Sequence, residues 1–258
     1  MIPIEAYRSL IETLTNGQSH RVWSLLISIF GDLAIDEDQW ISGTVLNRIT
    51  SDIGIKPEAT RVALHRLRKD GWIESRKNGR RSDYSLTQDS RKLSTDASPR
   101  IYGTIAPSPT CYLLIKNPDG PATSIEGPHI HPISAEIALT INPPTDNLSF
   151  PMEPEQFPDW MRDRICSAEL VENARSLFEN LGKLQERLPD PDALNPIQIA
   201  VLRVLVVHSW RRIILKTPHL PDDVFPKGWK GGECRRFAHK ILDQIARPTL
   251  SELEACCA

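Results

Sequence analysis

The sequence predicts an α+β, mainly helical protein with an N-terminal winged helix-turn-helix, a small β-rich middle module and an α-helical C-terminal domain. Three observations lead to this prediction. Apolar residues recur at helical spacing near both ends of the chain, an Asn-Gly hairpin signal follows the first group of helices, and prolines crowd the stretch between them. A chain of 258 residues is long enough for two or three domains, and we place them at residues 1–98, 99–158 and 159–258.

Four helices are expected before the hairpin. The first three cover residues 4–17, 21–30 and 39–53, and each carries an apolar stripe at helical spacing. The fourth begins at Pro57, because the missing N–H of proline costs nothing at the first helical position. It ends at Gly71, since glycine readily adopts the left-handed conformation that closes a helix.

A tight hairpin is expected directly after the fourth helix. Asn78-Gly79 lies between two extended segments, and this dipeptide is the strongest short-range hairpin signal. A two-residue turn there sets Lys77 opposite Arg80, Arg76 opposite Arg81 and Ile73 opposite Tyr84. Like charges directly opposite each other destabilise a sheet, so a basic tip of this kind makes sense where it meets phosphate. The order helix, helix, turn, helix, hairpin is that of a winged helix-turn-helix.

Positive charge is concentrated in the fourth helix and the hairpin. Residues 56–81 hold nine Lys/Arg and three acidic residues, although the whole chain has a net charge of −2. Such an asymmetry is an electrostatic footprint for a polyanion, most simply double-stranded DNA. The predicted DNA-binding residues are Arg61, His65, Arg66, Arg68, Lys69, Arg76, Lys77, Arg80 and Arg81.

Two of these residues are expected nearest the base edges, namely Arg61 and His65 on the helix, because arginine makes a bidentate contact to guanine in the major groove. The other seven are expected at the groove edge, on phosphate or in the adjacent minor groove. Two alternatives stay open. A winged helix also serves some proteins as a protein-interaction module, and a nuclease-like enzyme is much less favoured because no catalytic motif is recognisable.

Residues 101–150 differ in kind from their surroundings, with eight prolines and a single basic residue, Lys116. Short strands are predicted at 111–115, 122–125 and 137–141, and the prolines that separate them favour an irregular β-rich module. His129 and His131 would lie on one side of a strand, but no third ligand stands at compatible spacing. We therefore predict no metal site.

The C-terminal part is predicted as helices at 159–165, 168–188, 196–216 and 234–246, with a Pro/Gly loop at 217–233. Trp210, Arg212 and Trp229 are assigned structural roles. Five scattered cysteines show no metal-type spacing and fit the reduced thiols of a cytoplasmic protein. The longest apolar run is interrupted by charge, so no membrane span is expected, and no signal peptide is predicted.

Three blocks of the sequence resemble the PaaX family of bacterial transcriptional regulators. The first is Phe30-Gly31-Asp32, at the end of an apolar helix. The second covers residues 54–87 and is followed by Arg100-Ile101-Tyr102. The third, HSWRRIILKTPHLPDDVFPKGWKG, covers residues 208–231. The middle module departs from the family pattern, in which an Arg-rich amphipathic helix follows the first strand of a ferredoxin-like unit, since residues 116–135 are Pro-rich and nearly uncharged.

The resemblance implies a sequence-specific transcriptional regulator that acts as a homodimer on a two-fold operator. It further implies a repressor of a catabolic operon whose repression is relieved by a small effector, such as an acyl-CoA thioester. No residue can be assigned to the effector from the sequence. We predict no catalytic residues, no metal and no cofactor.

Overall fold

The computed structural model describes residues 2–15, 21–103, 109–117, 119, 127, 129–144 and 147–257. Helices and two antiparallel sheets form two compact units. The first unit comprises residues 1–102, 179–211 and 235–258, and the second comprises residues 103–178 and 212–234. The predicted α+β class is therefore confirmed, and the winged helix-turn-helix layout stays a prediction.

The N-terminal elements include the predicted helices and hairpin in the predicted order, with one difference: residues 41–42, predicted as part of the third helix, form a short strand. The elements are α1 (Ile4–Thr15), α2 (Val22–Leu33), β1 (Ile41–Ser42), α3 (Gly43–Asp52), α4 (Pro57–Lys69), β2 (Ile73–Asn78), β3 (Arg81–Leu86) and α5 (Gln88–Tyr102). The predicted end of the first helix, at residues 16–17, lies outside the described residues. For residues 87–100 the sequence predicts a helical stub and a linker, whereas α5 is a full helix that continues through Pro99.

Helix α2 forms the centre of the first unit. It is buried almost all round, and Leu25, Leu26, Ile29 and Phe30 are fully inaccessible to solvent. Its one buried carboxylate, Asp32, would be costly without a partner. Its partners are Arg203 and Tyr102, which come from two other helices.

A buried ion pair joins Asp32 to Arg203 of α8 (Pro196–Ile214). The guanidinium donates from Nε and Nη2 to the two carboxylate oxygens, at 3.1 and 2.9 Å. The Tyr102 hydroxyl donates to the same carboxylate at 3.0 Å. The remaining donor of Arg203 binds the carbonyl oxygens of Leu242 and Ile245, near the end of α9 (Gly231–Gln244). One charge pair thus ties α2 to three other parts of the first unit.

The hairpin register differs from the prediction: the turn lies one residue later, so each residue of β2 pairs two residues further along β3 than expected. In the sheet of order β1-β3-β2, Asn78 pairs with Arg81, Arg76 with Asp83, and Ile73 with Leu86. The turn is therefore Gly79-Arg80, with φ of 61° at Gly79, and Asn78 remains in the strand, where its amide donates to Asp83 at 3.1 Å. The predicted pairing of four like charges is wrong, so it no longer supports a phosphate contact at the hairpin tip.

The second sheet has the order β5-β6-β4-β7 and is antiparallel throughout. Its strands are β4 (Cys111–Ile115), β5 (Ile130–Pro132), β6 (Ile137–Thr140) and β7 (Leu148–Met152). The strand predicted at 122–125 lies outside the described residues. We did not predict β5 and β7, because each contains a proline. Both are edge strands of this sheet, the position where a missing N–H is tolerated.

The C-terminal helices are α6 (Asp159–Ile165), α7 (Ala168–Arg187), α8, α9 and α10 (Leu250–Ala255). The Pro/Gly loop is organised around Trp229. Its indole N–H donates to Asp222 at 2.8 Å, and its ring stacks on that of Phe225 with 4.7 Å between the ring centroids. Trp210 is fully buried and its indole donates to the Ile101 carbonyl at 3.1 Å. Both tryptophans thus have the structural roles that we assigned them. Among the described residues, no helix is long and apolar enough to cross a bilayer.

Candidate nucleic-acid interface

Helix α4 is held against α3 by one buried face. Thr60, Ala63, Leu64 and Leu67 are buried along it at helical spacing, as the sequence predicted. The Thr60 hydroxyl donates to the Thr50 hydroxyl of α3 at 2.9 Å, which fixes the two helices in register. Such a packed face leaves the opposite side of α4 to solvent.

Glycines with positive φ bound this helix on both sides. Gly54 adopts φ of 91° in the turn between α3 and α4, and Gly71 adopts φ of 73° between α4 and β2. L-residues are disfavoured in this conformation, so glycine is the natural choice at both turns. The tight turns set α4 between α3 and the hairpin formed by β2 and β3.

All nine predicted DNA-binding side chains are exposed, five on α4 and four in the hairpin or its turn. Four of them have polar partners. Arg66 pairs with Asp70 at 3.5 Å, Arg68 donates to the Ser75 hydroxyl at 3.4 Å, Arg76 pairs with Asp83 at 3.6 Å, and Arg81 pairs with Glu254 at 3.4 Å. Arg76 also lies over the ring of Trp40, 4.3 Å from its centroid.

The other five basic side chains make no ion pair or hydrogen bond within the described parts of the chain. They are Arg61, His65, Lys69, Lys77 and Arg80. An exposed basic group without an intramolecular partner is available to an external anion. This subset, on the outward face of α4 and at the hairpin tip, is the strongest feature of the candidate interface.

Sequence reasoning missed the C-terminal partner of the hairpin. Glu254 of α10 accepts from Arg81 through one oxygen and from the Ser42 backbone N–H through the other, at 3.4 and 3.3 Å. We did not predict α10, although the sequence carries its signal. Thr249 and Glu252 form a capping box at the start of this helix, which is the S/T-x-x-E pattern of helix N-termini.

A cleft of about 450 Å³ lies beside the turn that precedes α4. Its lining combines aliphatic residues of α1, such as Ile11, with the polar end of α3 and with Gln198 of α8. Tyr7 of α1 donates to Asp52 of α3 across this region, at 3.4 Å. The cleft therefore borders Asp52 and Gly54, the residues that lead into α4.

Other candidate sites are weaker. The pKa of His131 is lowered by burial, its Nε2 lies 3.3 Å from the Arg164 carbonyl oxygen, and the His129 ring lies 5.6 Å from that of His219. Among the described residues, no group of three His, Cys, Asp or Glu could hold a metal ion. Burial raises the pKa of the Cys111 and Cys234 thiols to about 12, so both are protonated and unreactive at neutral pH.

Comparison with known proteins connects this geometry to a family. The model of the PaaX-like protein family matches residues 21–90, and the model of the PaaX-like protein C-terminal domain matches residues 151–254. The first match contains α4 and the hairpin, and the second contains α6 to α9. Together the two models account for more than half of the chain.

A curated relative and a solved structure agree with these matches. The transcriptional repressor PaaX of Escherichia coli (strain K12) is 23% identical over 267 residues, which cover 88% of this chain and 81% of that protein. The structure of an uncharacterized protein from Mycobacterium tuberculosis matches with a TM-score of 0.50 and 18% identity, and it covers 90% of this chain and 97% of that one. This second likeness concerns the fold alone.

The fold and these matches define an α+β protein that joins an exposed basic helix and hairpin to a helical C-terminal region. The chain belongs to the PaaX-like family. The family that we predicted from three separate sequence blocks is thereby confirmed.

Proposed function

We propose that this protein is a sequence-specific DNA-binding transcriptional regulator and that it acts as a repressor of a catabolic operon. The observation that carries the proposal is the set of five exposed basic side chains without intramolecular partners, on α4 and on the hairpin that follows it. Similarity to a transcriptional repressor over 88% of the chain supports the same conclusion.

The two elements have different tasks in this proposal, which treats residues 1–98 as a winged helix-turn-helix. Helix α4 enters the major groove, which is wide enough to admit an α-helix, and it brings Arg61 and His65 to the base edges. Lys77 and Arg80 at the hairpin tip contact phosphate. Phosphate contacts fix the position and orientation of the protein, whereas base contacts select the sequence.

Four residues of the predicted set take part through looser contacts. Arg66, Arg68, Arg76 and Arg81 hold intramolecular partners. The exposed ion pairs of Arg66 and Arg81 are weak, at about 0–1 kcal/mol each, so a phosphate competes readily with these two partners. Arg76 is held more firmly, because its partner Asp83 is buried. We place the four residues at the groove edge and along the backbone.

We further propose that two copies bind a two-fold operator, because one recognition helix reads only a half-site of a few base pairs. A small effector, such as the acyl-CoA thioester that the family resemblance implies, would relieve repression. The cleft beside Asp52 and Gly54 supports control of this kind, since its occupant would contact the residues that lead into α4.

Titration of the full chain against duplexes from upstream of its neighbouring genes tests the proposal. We expect specific binding that weakens steeply between about 50 and 200 mM salt, as counterion release requires, and a footprint with two half-sites. Failure to bind any such duplex at low salt would overturn the proposal. It would leave α4 and the hairpin as a surface for a protein partner.

A further inference from the structure

Two residues on the exposed face of α4 are not basic, and they do not suit contact with phosphate. Glu58, Arg61, Val62 and His65 follow one another at intervals of three, one and three residues, so they share one face of the helix. The buried face consists of other residues, at positions 60, 63, 64 and 67. Glu58 and Val62 therefore point the same way as the two proposed base-contacting residues.

Val62 is among the most exposed large apolar side chains of the described chain, with 69% of its surface accessible. A solvated lysine or threonine would serve the fold equally well here, because Val62 lies opposite the packed face. In the major groove, the C5-methyl group of thymine is the apolar feature that side chains contact. An exposed valine in the centre of this face is suited to that group.

Glu58 is exposed in the first turn of α4 and makes no ion pair or hydrogen bond with the described residues. A carboxylate at this position interacts favourably with the helix dipole, but it also repels the phosphates that its basic neighbours attract. That repulsion is offset where the carboxylate accepts a hydrogen bond from a base. Glutamate accepts from the N4 amino group of cytosine in the major groove.

We propose that Glu58 and Val62 are specificity determinants of the operator, with Glu58 on a cytosine N4 amino group and Val62 on a thymine methyl group. This inference rests on the proposed function and deepens it. Residues four apart on a helix are separated by about 6 Å along its axis, which corresponds to about two steps of 3.4 Å in DNA. The cytosine and the thymine thus lie within about two base-pair steps of each other.

The experiment begins with selection of binding sites from a random duplex library by the wild-type chain. Each thymine of the selected half-site is then replaced by deoxyuridine, which removes only the methyl group. We expect one position at which this change weakens wild-type binding about fivefold or more. Val62→Ala, which keeps only one methyl group, should discriminate less than the wild type between the thymine and deoxyuridine duplexes.

Glu58→Ala, which removes the acceptor oxygens, is tested by a second selection, in which we expect the cytosine preference to be lost at one position within two steps of that thymine. Arg80→Ala serves as the matched control, since it should weaken every duplex alike and leave the selected sequence unchanged. Thermal melting of both α4 variants should stay within a few degrees of the wild type, because both side chains are exposed and the Glu58 variant loses only its interaction with the helix dipole.

Several results would overturn the inference. If the wild type selects a sequence but tolerates deoxyuridine at every thymine, or if Val62→Ala keeps the full wild-type discrimination, Val62 does not read a base. If Glu58→Ala selects the wild-type sequence, Glu58 does not read a base, and in each of these cases the proposed function stands. If the wild type binds no duplex, the proposed function itself fails and the inference fails with it.

Discussion

Glu254 and Arg81, 173 positions apart in the chain, form an ion pair at 3.4 Å on the edge of the hairpin. The same carboxylate binds the Ser42 backbone N–H, so α10 is attached both to β1 and to β3. A carboxylate placed on an arginine occupies the position that a phosphate oxygen would take. If the protein binds DNA as proposed, the C-terminal helix would therefore compete with DNA for one of the contacts.

Removal of this competitor should strengthen binding. In Glu254→Gln, Arg81 loses its anionic partner, and we expect affinity for every duplex to rise about two- to threefold, with a salt slope steeper by up to about 0.9. Titrations at four salt concentrations measure both quantities. Glu186→Gln, which removes an exposed negative charge from α7, is the control for net charge. Equal gains in affinity in Glu254→Gln and Glu186→Gln would show that the ion pair with Glu254 does not weaken the contact between Arg81 and DNA.

Arg80 at the hairpin turn should contribute affinity without sequence preference. It is exposed and makes no ion pair or hydrogen bond with the described residues, so Arg80→Ala should weaken operator and random DNA by the same factor. The slope of log K against log salt should become shallower by about 0.9, the value for one phosphate contact. A loss confined to the operator would show instead that Arg80 reads bases.

Arg61 should behave in the opposite way. Arg61→Ala should erase much of the discrimination between operator and random DNA, a loss of about 1–3 kcal/mol for a bidentate arginine–guanine contact. The affinity for random DNA should change much less. Arg66→Ala is the control on the same helix, since Arg66 is paired with Asp70. Unchanged discrimination in Arg61→Ala would place α4 outside the groove.

Local signals in the sequence were enough for most helices but not for the pairing of the hairpin. Pro57 and Gly71 bound α4 within the structure as predicted, because each acts through its own backbone geometry. The position of the turn depends on a side-chain contact instead. Asn78 stays in the strand and its side chain donates to Asp83, and the turn is at Gly79-Arg80. A rule based on the Asn-Gly dipeptide alone does not take that contact into account.

Long-range contacts explain what the sequence left out of the candidate site. The exposure of all nine basic residues follows from periodicity and charge, and it was predictable. The engagement of Arg81 by Glu254 was not, because no local pattern links residues so far apart. The Asp32–Arg203 pair is similar, since each residue stands in a recognisable helix but only the packing of α2 on α8 joins them.

The buried Tyr102 should make stability fall in alkali. Burial, and then the neighbouring charge of Asp32, raise the pKa of the Tyr102 phenol well above its ordinary value. A group whose pKa is raised by folding contributes stability below its unfolded pKa, and the contribution is lost as pH rises above about 10. The pKa of the Tyr7 phenol is raised in the same way, by burial and then by the neighbouring Asp52. The wild-type free energy of unfolding, measured in urea, should therefore decline through both groups.

Tyr102→Phe isolates one of these groups. It should lower the free energy of unfolding by about 1 kcal/mol at neutral pH through the lost hydrogen bond to Asp32, and it should reduce the decline measured between about pH 10 and 11. Tyr7→Phe is the matched control for the other phenol. If the free energy of unfolding of Tyr102→Phe depended on pH as it does in the wild type, Tyr102 would have to ionise freely in the folded protein.

Gly231 should tolerate no side chain, although it lies at the start of a helix where alanine is ordinarily preferred. A Cβ atom there would stand 2.2 Å from the indole of Trp229, and the indole is held by its hydrogen bond to Asp222 and its stacking on Phe225. Gly231→Ala should therefore destabilise the chain by about 1–3 kcal/mol. Denaturant unfolding measures this loss.

Gly182→Ala provides the contrast within α7. A Cβ atom at Gly182 meets nothing within 4 Å, so the higher helix propensity of alanine should stabilise the chain by up to about 1 kcal/mol. Opposite signs for the two substitutions are expected, because only the first forces an aromatic ring from its place. If Gly231→Ala stabilised the protein, as we expect of Gly182→Ala, the Trp229 ring would not be anchored in the loop. The tryptophan of the third sequence block would then need an explanation other than this packing.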